Sequence, residues 1–137
     1  MALSAAALVF VGGGLGAVAR YGLVRASENA LGTAFPYGVL AANIAGSFVM
    51  GVLAGWLVAR GGGFGPFLDM AGHDAAKAAL ATGLLGGFTT FSAFSLDAVR
   101  LWEMGSHGAA IAYVGLSVFL ALAALVVGLM LARVVLT

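Results

Sequence analysis

The sequence predicts an all-α integral membrane protein of four transmembrane helices, and three observations carry that prediction: composition, the placement of charges and the supply of glycine. Hydrophobic residues make up 63% of the 137-residue chain and charged residues only 8%, against roughly 25% charged in soluble domains. So few charges cannot cover a water-soluble domain of this length, whose folded surface would still face water over most of its area. The 22 glycines are about double the usual ~7% share, which suits helices packed backbone to backbone in lipid.

The spans follow from the gaps between charges, because an ionised side chain at the bilayer centre costs roughly 2.5 to 3.5 kcal/mol even on the lenient insertion scale. No charge precedes Arg20, none lies between Glu28 and Arg60, none between Lys77 and Asp97, and none between Glu103 and Arg133. Each gap holds a stretch near the ~20 residues that a spanning helix needs. The predicted spans are 3–23, 37–58, 75–96 and 109–135, forming one domain over 1–137. Segments 27–36 and 60–74 read as loops, and 97–108 as a polar connection with a helical start. The N-terminus lacks the basic n-region of a signal peptide, and its apolar run continues into Arg20 and Tyr21, so the first span is expected to stay. No internal repeat is visible.

Six Lys and Arg against five Asp and Glu leave no basic patch for nucleic acid. The absence of cysteine removes disulfides, thiolate metal sites and cysteine nucleophiles. With four spans, Arg60, Lys77 and Arg133 fall on one face and Arg20, Arg25 and Arg100 on the other. Since an excess of Lys and Arg selects the cytoplasmic side, this balance predicts insertion in both orientations, with oppositely oriented copies paired as an antiparallel dimer.

Three glycine pairs, Gly12/Gly16, Gly51/Gly55 and Gly83/Gly87, have GxxxG spacing and predict close helix contacts. Gly12, Gly14 and Ala17 also fit the GxGxxA dinucleotide fingerprint, which requires a βαβ unit; inside an apolar run of spanning length it is discarded. His73 and His107 both fall in predicted loops, with no serine indicated beside either, so hydrolase chemistry is not expected, and no enzyme is predicted.

Uncharged polar residues within the spans are the candidate functional groups. Asn43 has Ser47 one turn later on the same helix face, and a buried Asn needs partners for two donors and an acceptor. It serves either an interhelical hydrogen bond or a hydrated pathway. The third span reads Thr82-Gly83-Leu84-Leu85-Gly86-Gly87-Phe88-Thr89-Thr90-Phe91-Ser92-Ala93-Phe94-Ser95. Adjacent glycines followed by threonines predict either a kink closed by threonine side chains or a helix break near 86–90. A break at membrane depth survives only where protein or a water-filled cavity satisfies the freed backbone groups, and broken transporter helices bind ions in this way. Phe91 and Phe94 share a face, where they are either packing residues or ring edges, which are electropositive, turned toward an anion. Tyr113 and Ser117 form a further i, i+4 polar pair.

These residues together resemble the CrcB/Fluc family of fluoride ion channels. The resemblance covers nearly the whole chain through GGLGAVARY (13–21), PYGVLAANIAGSFVMG (36–51) and above all TGLLGGFTTFSAFS (82–95). It implies a dual-topology antiparallel homodimer of four-helix subunits with the third helix broken at midplane and two pores, in a bacterial inner membrane. It implies passive export of cytoplasmic fluoride without nucleotide. On the matching positions, Asn43 donates to fluoride, Phe91 and Phe94 turn ring edges to it, and Thr90 or Ser92 together with Tyr113 and Ser117 line the route. Arg20 draws anions to a vestibule or fixes a helix end. A structural Na+ at the dimer centre would be held by the backbone carbonyls of Gly86 and Thr89. Two positions depart from the family: Ala93 stands where threonine is common, removing one hydroxyl, and Ala41 where relatives can carry threonine.

Two other readings compete. A proton-coupled small multidrug transporter needs a titratable carboxylate within the membrane, and no Asp or Glu lies in any of the four gaps. A structural membrane subunit would use the polar residues only to join helices and would pass no ions.

Overall fold

The computed structural model describes residues 2–59 and 75–136, and every regular element among them is helical. Helix α1 spans Ala2–Leu31 and α2 spans Tyr37–Leu57. The third apolar segment opens with an α-helical turn at Ala75–Ala78, widens into π-helix over Ala79–Leu85 and closes with an α-helical turn at Gly86–Phe88; these together are α3. Helix α4 is Phe91–Glu103 and α5 is His107–Leu136. Four segments, Ser4–Leu31, Tyr37–Leu57, Ala75–Glu103 and His107–Val135, are long and apolar enough to cross a bilayer. The protein is a multi-pass membrane protein.

One loop boundary differs from the sequence reading. The predicted loop 27–36 begins only at Gly32, since α1 continues through Leu31. Charges end a span but not a helix: Arg25 and Glu28 pair at i, i+3 with 2.9 Å between them, and neither glycine nor proline intervenes before Gly32. Gly32 takes a positive φ of 80° and donates its N–H to Glu28 O at 2.8 Å. The connection 97–108 has the helical start expected of it, as α4 runs to Glu103. The helix stops in a Schellman arrangement: Gly105, with φ 77°, donates to Trp102 O, and Ser106 donates to Leu101 O. The predicted loop 60–74 lies outside the described residues.

The helices pack chiefly as two intimate pairs, α2 with α5 and α1 with α3. All three predicted glycine pairs sit at these crossings. A Cβ on Gly12 would come within 2.5 Å of the Ala79 carbonyl oxygen, and one on Gly55 within 2.5 Å of Leu129 O. Gly51 meets Leu125, Gly16 meets Leu84, and Gly83 and Gly87 meet Val9 and Gly13, each backbone against backbone. Larger residues would force the helices apart, so these contacts require glycine. Outward-facing side chains are large and apolar, with Phe10 82%, Phe119 75% and Val134 79% exposed; a lipid surround solvates them without the cost water would exact. A compact cluster of Leu101, Ala110 and Tyr113 ties α4 to α5, with Phe35, Leu40 and Phe94 packed against it.

Candidate functional site

Helical conformation leaves off at Phe88 and resumes at Phe91. Thr89 and Thr90 between them are extended, with φ, ψ of −85°, 154° and −155°, 125°. Such a step strands backbone groups that must find partners in a water-poor setting, and the surrounding side chains supply them. Asn43 on α2 pairs with both polar groups of one residue: Thr90 N–H donates to Asn43 Oδ1 at 2.8 Å, and Asn43 Nδ2 donates to Thr90 O at 3.1 Å. The Thr90 N–H that would close on Gly86 O in an unbroken helix is thus given to Asn43. A break at 86–90 would leave amides free for an anion, but the Thr90 amide is committed to Asn43.

The other ends are closed locally. Thr89 Oγ1 and Thr89 N–H both donate to Leu85 O at 2.9 Å. Thr90 Oγ1 caps α4 by accepting from Ala93 N at 3.2 Å, a hydroxyl cap of the kind that opens many helices, and lies 3.2 Å from Ser92 Oγ. Arg20 reaches from α1 to donate its Nε–H to Gly87 O at 3.3 Å. That carbonyl would have accepted from Phe91 in a continuous helix, so Arg20 occupies the helix-end position rather than projecting freely.

An open groove of about 580 Å³ runs along this step. Asn43, Ser47, Gly86, Thr89, Thr90, Phe91, Phe94 and Ser117 line it, with Met50, Ala121, Leu122 and Leu125 as its apolar wall. Phe91 is 78% exposed and Phe94 half-buried, their ring centroids 5.3 Å apart. The groove therefore gathers hydroxyls, an amide and aromatic rings with no ionised side chain among its lining residues. Asn43 keeps one N–H beyond the bond to Thr90, and Ser117 Oγ is buried without a hydrogen-bond partner among the described residues. Such neutral donors can replace part of an anion's hydration shell.

Other predicted residues stand elsewhere. Tyr113 is fully buried behind Phe94, ring centroids 5.4 Å apart, and does not line the groove. Ser92 is exposed beside the Thr90 hydroxyl. Arg20 and Ala93 line a second cavity of about 380 Å³ with Glu28, Asp97 and Arg100; the side chain of Ala93 thus belongs to that cavity, and the exposed Ala41 lines neither. Phe35, on the 32–36 loop, is the residue sequence reasoning missed. It meets Tyr113 edge-on, 5.6 Å between centroids and 89° between planes. No periodicity marks a loop aromatic, so nothing in the sequence pointed to it.

By class, then, this is a polytopic helical membrane protein with an uncharged, donor-lined groove at a discontinuity between helices. The chain belongs to the CrcB/Fluc family: residues 7–129 match the family described as CrcB-like protein, Camphor Resistance (CrcB). A relative from Cereibacter sphaeroides is 51% identical over 121 residues, covering 88% of each chain. One from Chelativorans sp. is 50% identical over 129 residues, 94% of this chain and 96% of its own. One from Phenylobacterium zucineum is 49% identical over 131 residues, 96% and 97% respectively. Each of these relatives is named fluoride-specific ion channel FluC.

Proposed function

We propose that this protein is a fluoride-selective channel that lets cytoplasmic fluoride leave a bacterium passively across its inner membrane. The observation that carries the reading is the extended step at Thr89 and Thr90, held by Asn43 at the wall of an uncharged groove. Family membership and the fluoride channels among the relatives support it. Fluoride is small and strongly hydrated, so passage needs several donors in place of water, yet none so strong as to hold the ion. The Asn43 amide, the Thr90 and Ser117 hydroxyls and the Phe91 and Phe94 ring edges meet that requirement, with Ser92 and Tyr113 contributing beyond the groove wall.

The working unit in this reading is an antiparallel, dual-topology homodimer with the third helix broken at the bilayer midplane. The openness of the groove along one side favours completion by a second copy, and the even split of Arg and Lys between faces favours insertion in both orientations. The family also implies a structural Na+. The local chemistry fits it: Gly86 O is released from the Thr90 N–H, Thr89 is extended at the helix end, and a hard cation takes neutral carbonyl oxygens. Gly86 and Thr89 of each copy would hold the ion, which would supply a fixed positive charge to the dimer centre.

Reconstitution in liposomes with a fluoride electrode tests the function. Fluoride should leave loaded vesicles on addition of protein and a potassium shunt while chloride stays behind. Retention of both ions would support the structural-subunit reading instead.

A further inference from the structure

A run of neighbouring rings extends from the α1–α2 loop to the groove. Phe35 lies tilted against Tyr37, centroids 4.8 Å apart and planes at 50°, and meets Tyr113 edge-on at 5.6 Å. Tyr113 in turn lies 5.4 Å from Phe94, which lies 5.3 Å from Phe91. The middle of this run is closed in: Tyr113 is 0% exposed and Leu101 only 1%, and both belong to the cluster against which Phe35 and Phe94 pack. The loop end is pinned as well, by Tyr37 N–H to Phe35 O at 2.9 Å and by Arg100 Nη2 to Thr33 O at 3.2 Å.

We propose that Phe35 is a positioning residue of the pathway, which by seating edge-on against Tyr113 holds the Phe94 ring in its orientation at the groove wall. This rests on the channel reading above. The physical reason is the two faces of a phenyl ring: the edge is positive and attracts an anion, whereas the face is negative and repels it. A ring's χ2 well is broad, so packing must set which aspect the groove receives. Close-packed side chains transmit such constraints, and a void on one side of Tyr113 removes the contacts that hold it. Loss of the Phe35 ring therefore frees Tyr113 and then Phe94, without touching any group at the groove itself. Phe35 acts through Phe94, so the two must be coupled.

The test uses full-length protein in liposomes, with Phe35→Leu, Phe35→Met and Phe35→Tyr, each alone and combined with Phe94→Ala. Phe35→Leu and Phe35→Met should slow fluoride efflux roughly three- to tenfold, the rate equivalent of one lost ring pair, and Phe35→Tyr should restore it to within about twofold of the parent, since the ring is kept. In the Phe94→Ala background the same substitutions should change nothing further. A second readout is independent of flux: a single meta-fluorophenylalanine at position 94 should give two resolved ¹⁹F resonances in the parent and an averaged line in Phe35→Met. Unchanged efflux in Phe35→Leu, an equal slowing with and without Phe94, or an unaltered ¹⁹F spectrum overturns the inference. A parent protein that passes no fluoride removes the channel reading instead, and the ¹⁹F spectra then decide whether Phe35 orders Phe94.

Discussion

The groove at Thr89 and Thr90 and the cavity beneath the α1–α2 loop are lined by opposite kinds of side chain. Asn43, Ser47, Thr90, Phe91, Phe94 and Ser117 give the groove dipoles and ring edges, and none of its lining residues is ionised. The cavity collects Arg20, Glu28, Asp97 and Arg100 within about 380 Å³. Each cationic side chain there donates to a backbone carbonyl: Arg20 to Gly87 O, Arg100 to Thr33 O. Full charge is thus tolerated in the cavity and kept out of the groove. Charged side chains of both signs are kept near helix ends, while the interruption between α3 and α4 is lined by neutral groups.

The largest expected effect comes from breaking that division outright. Asn43→Asp puts a carboxylate into the groove and removes the donor to Thr90 O, and fluoride efflux should fall by about two orders of magnitude or more, as when a preorganised donor is lost elsewhere. Efflux within a few fold of the parent would mean that the groove is not the route. Next is Phe94→Ala, which removes a ring from the groove wall and should slow efflux about tenfold while the helical circular dichroism spectrum is kept. On the charged side the effects shrink. Arg20→Gln leaves Gly87 O without its charged donor, and thermal unfolding in detergent should register a loss of about 1.5 to 3 kcal/mol, with Arg20→Lys recovering only part because its ammonium lacks the fixed guanidinium fork. Arg25→Ala, at the exposed pair with Glu28, should cost no more than about 1 kcal/mol and leave efflux as it was.

The four spans were legible because ionised side chains are costly in hydrocarbon, so the gaps around Arg20, Glu28, Arg60, Lys77, Asp97, Glu103 and Arg133 mark what can cross. Helix ends were less legible for the same reason. Arg25, Glu28, Asp97 and Arg100 do not interrupt their helices, which end instead at Gly32 and Gly105, both with positive φ. The glycine pairs were readable from spacing alone, since Gly12, Gly16, Gly51, Gly55, Gly83 and Gly87 all lie at close crossings. TGLLGGFTTF contains the interruption of the helix, yet the glycines at 86 and 87 stay helical and the threonines at 89 and 90 take the extended conformation. That shift follows from tertiary context: Asn43, 47 positions away in the chain, offers Thr90 a better pair of hydrogen bonds than the helix does. The placement of Tyr113 behind Phe94 and of Phe35 behind Tyr113 depends on how a loop folds over two helices, which no local pattern encodes.

Fluoride efflux recorded side by side for the parent and Asn43→Ala, at equal amounts of protein in the same liposomes and with chloride as control, tests the central claim most directly. Rapid, fluoride-selective efflux is expected from the parent, with a slowing of at least about tenfold in Asn43→Ala, the kinetic equivalent of one lost hydrogen bond. Equal efflux from the two proteins would contradict it.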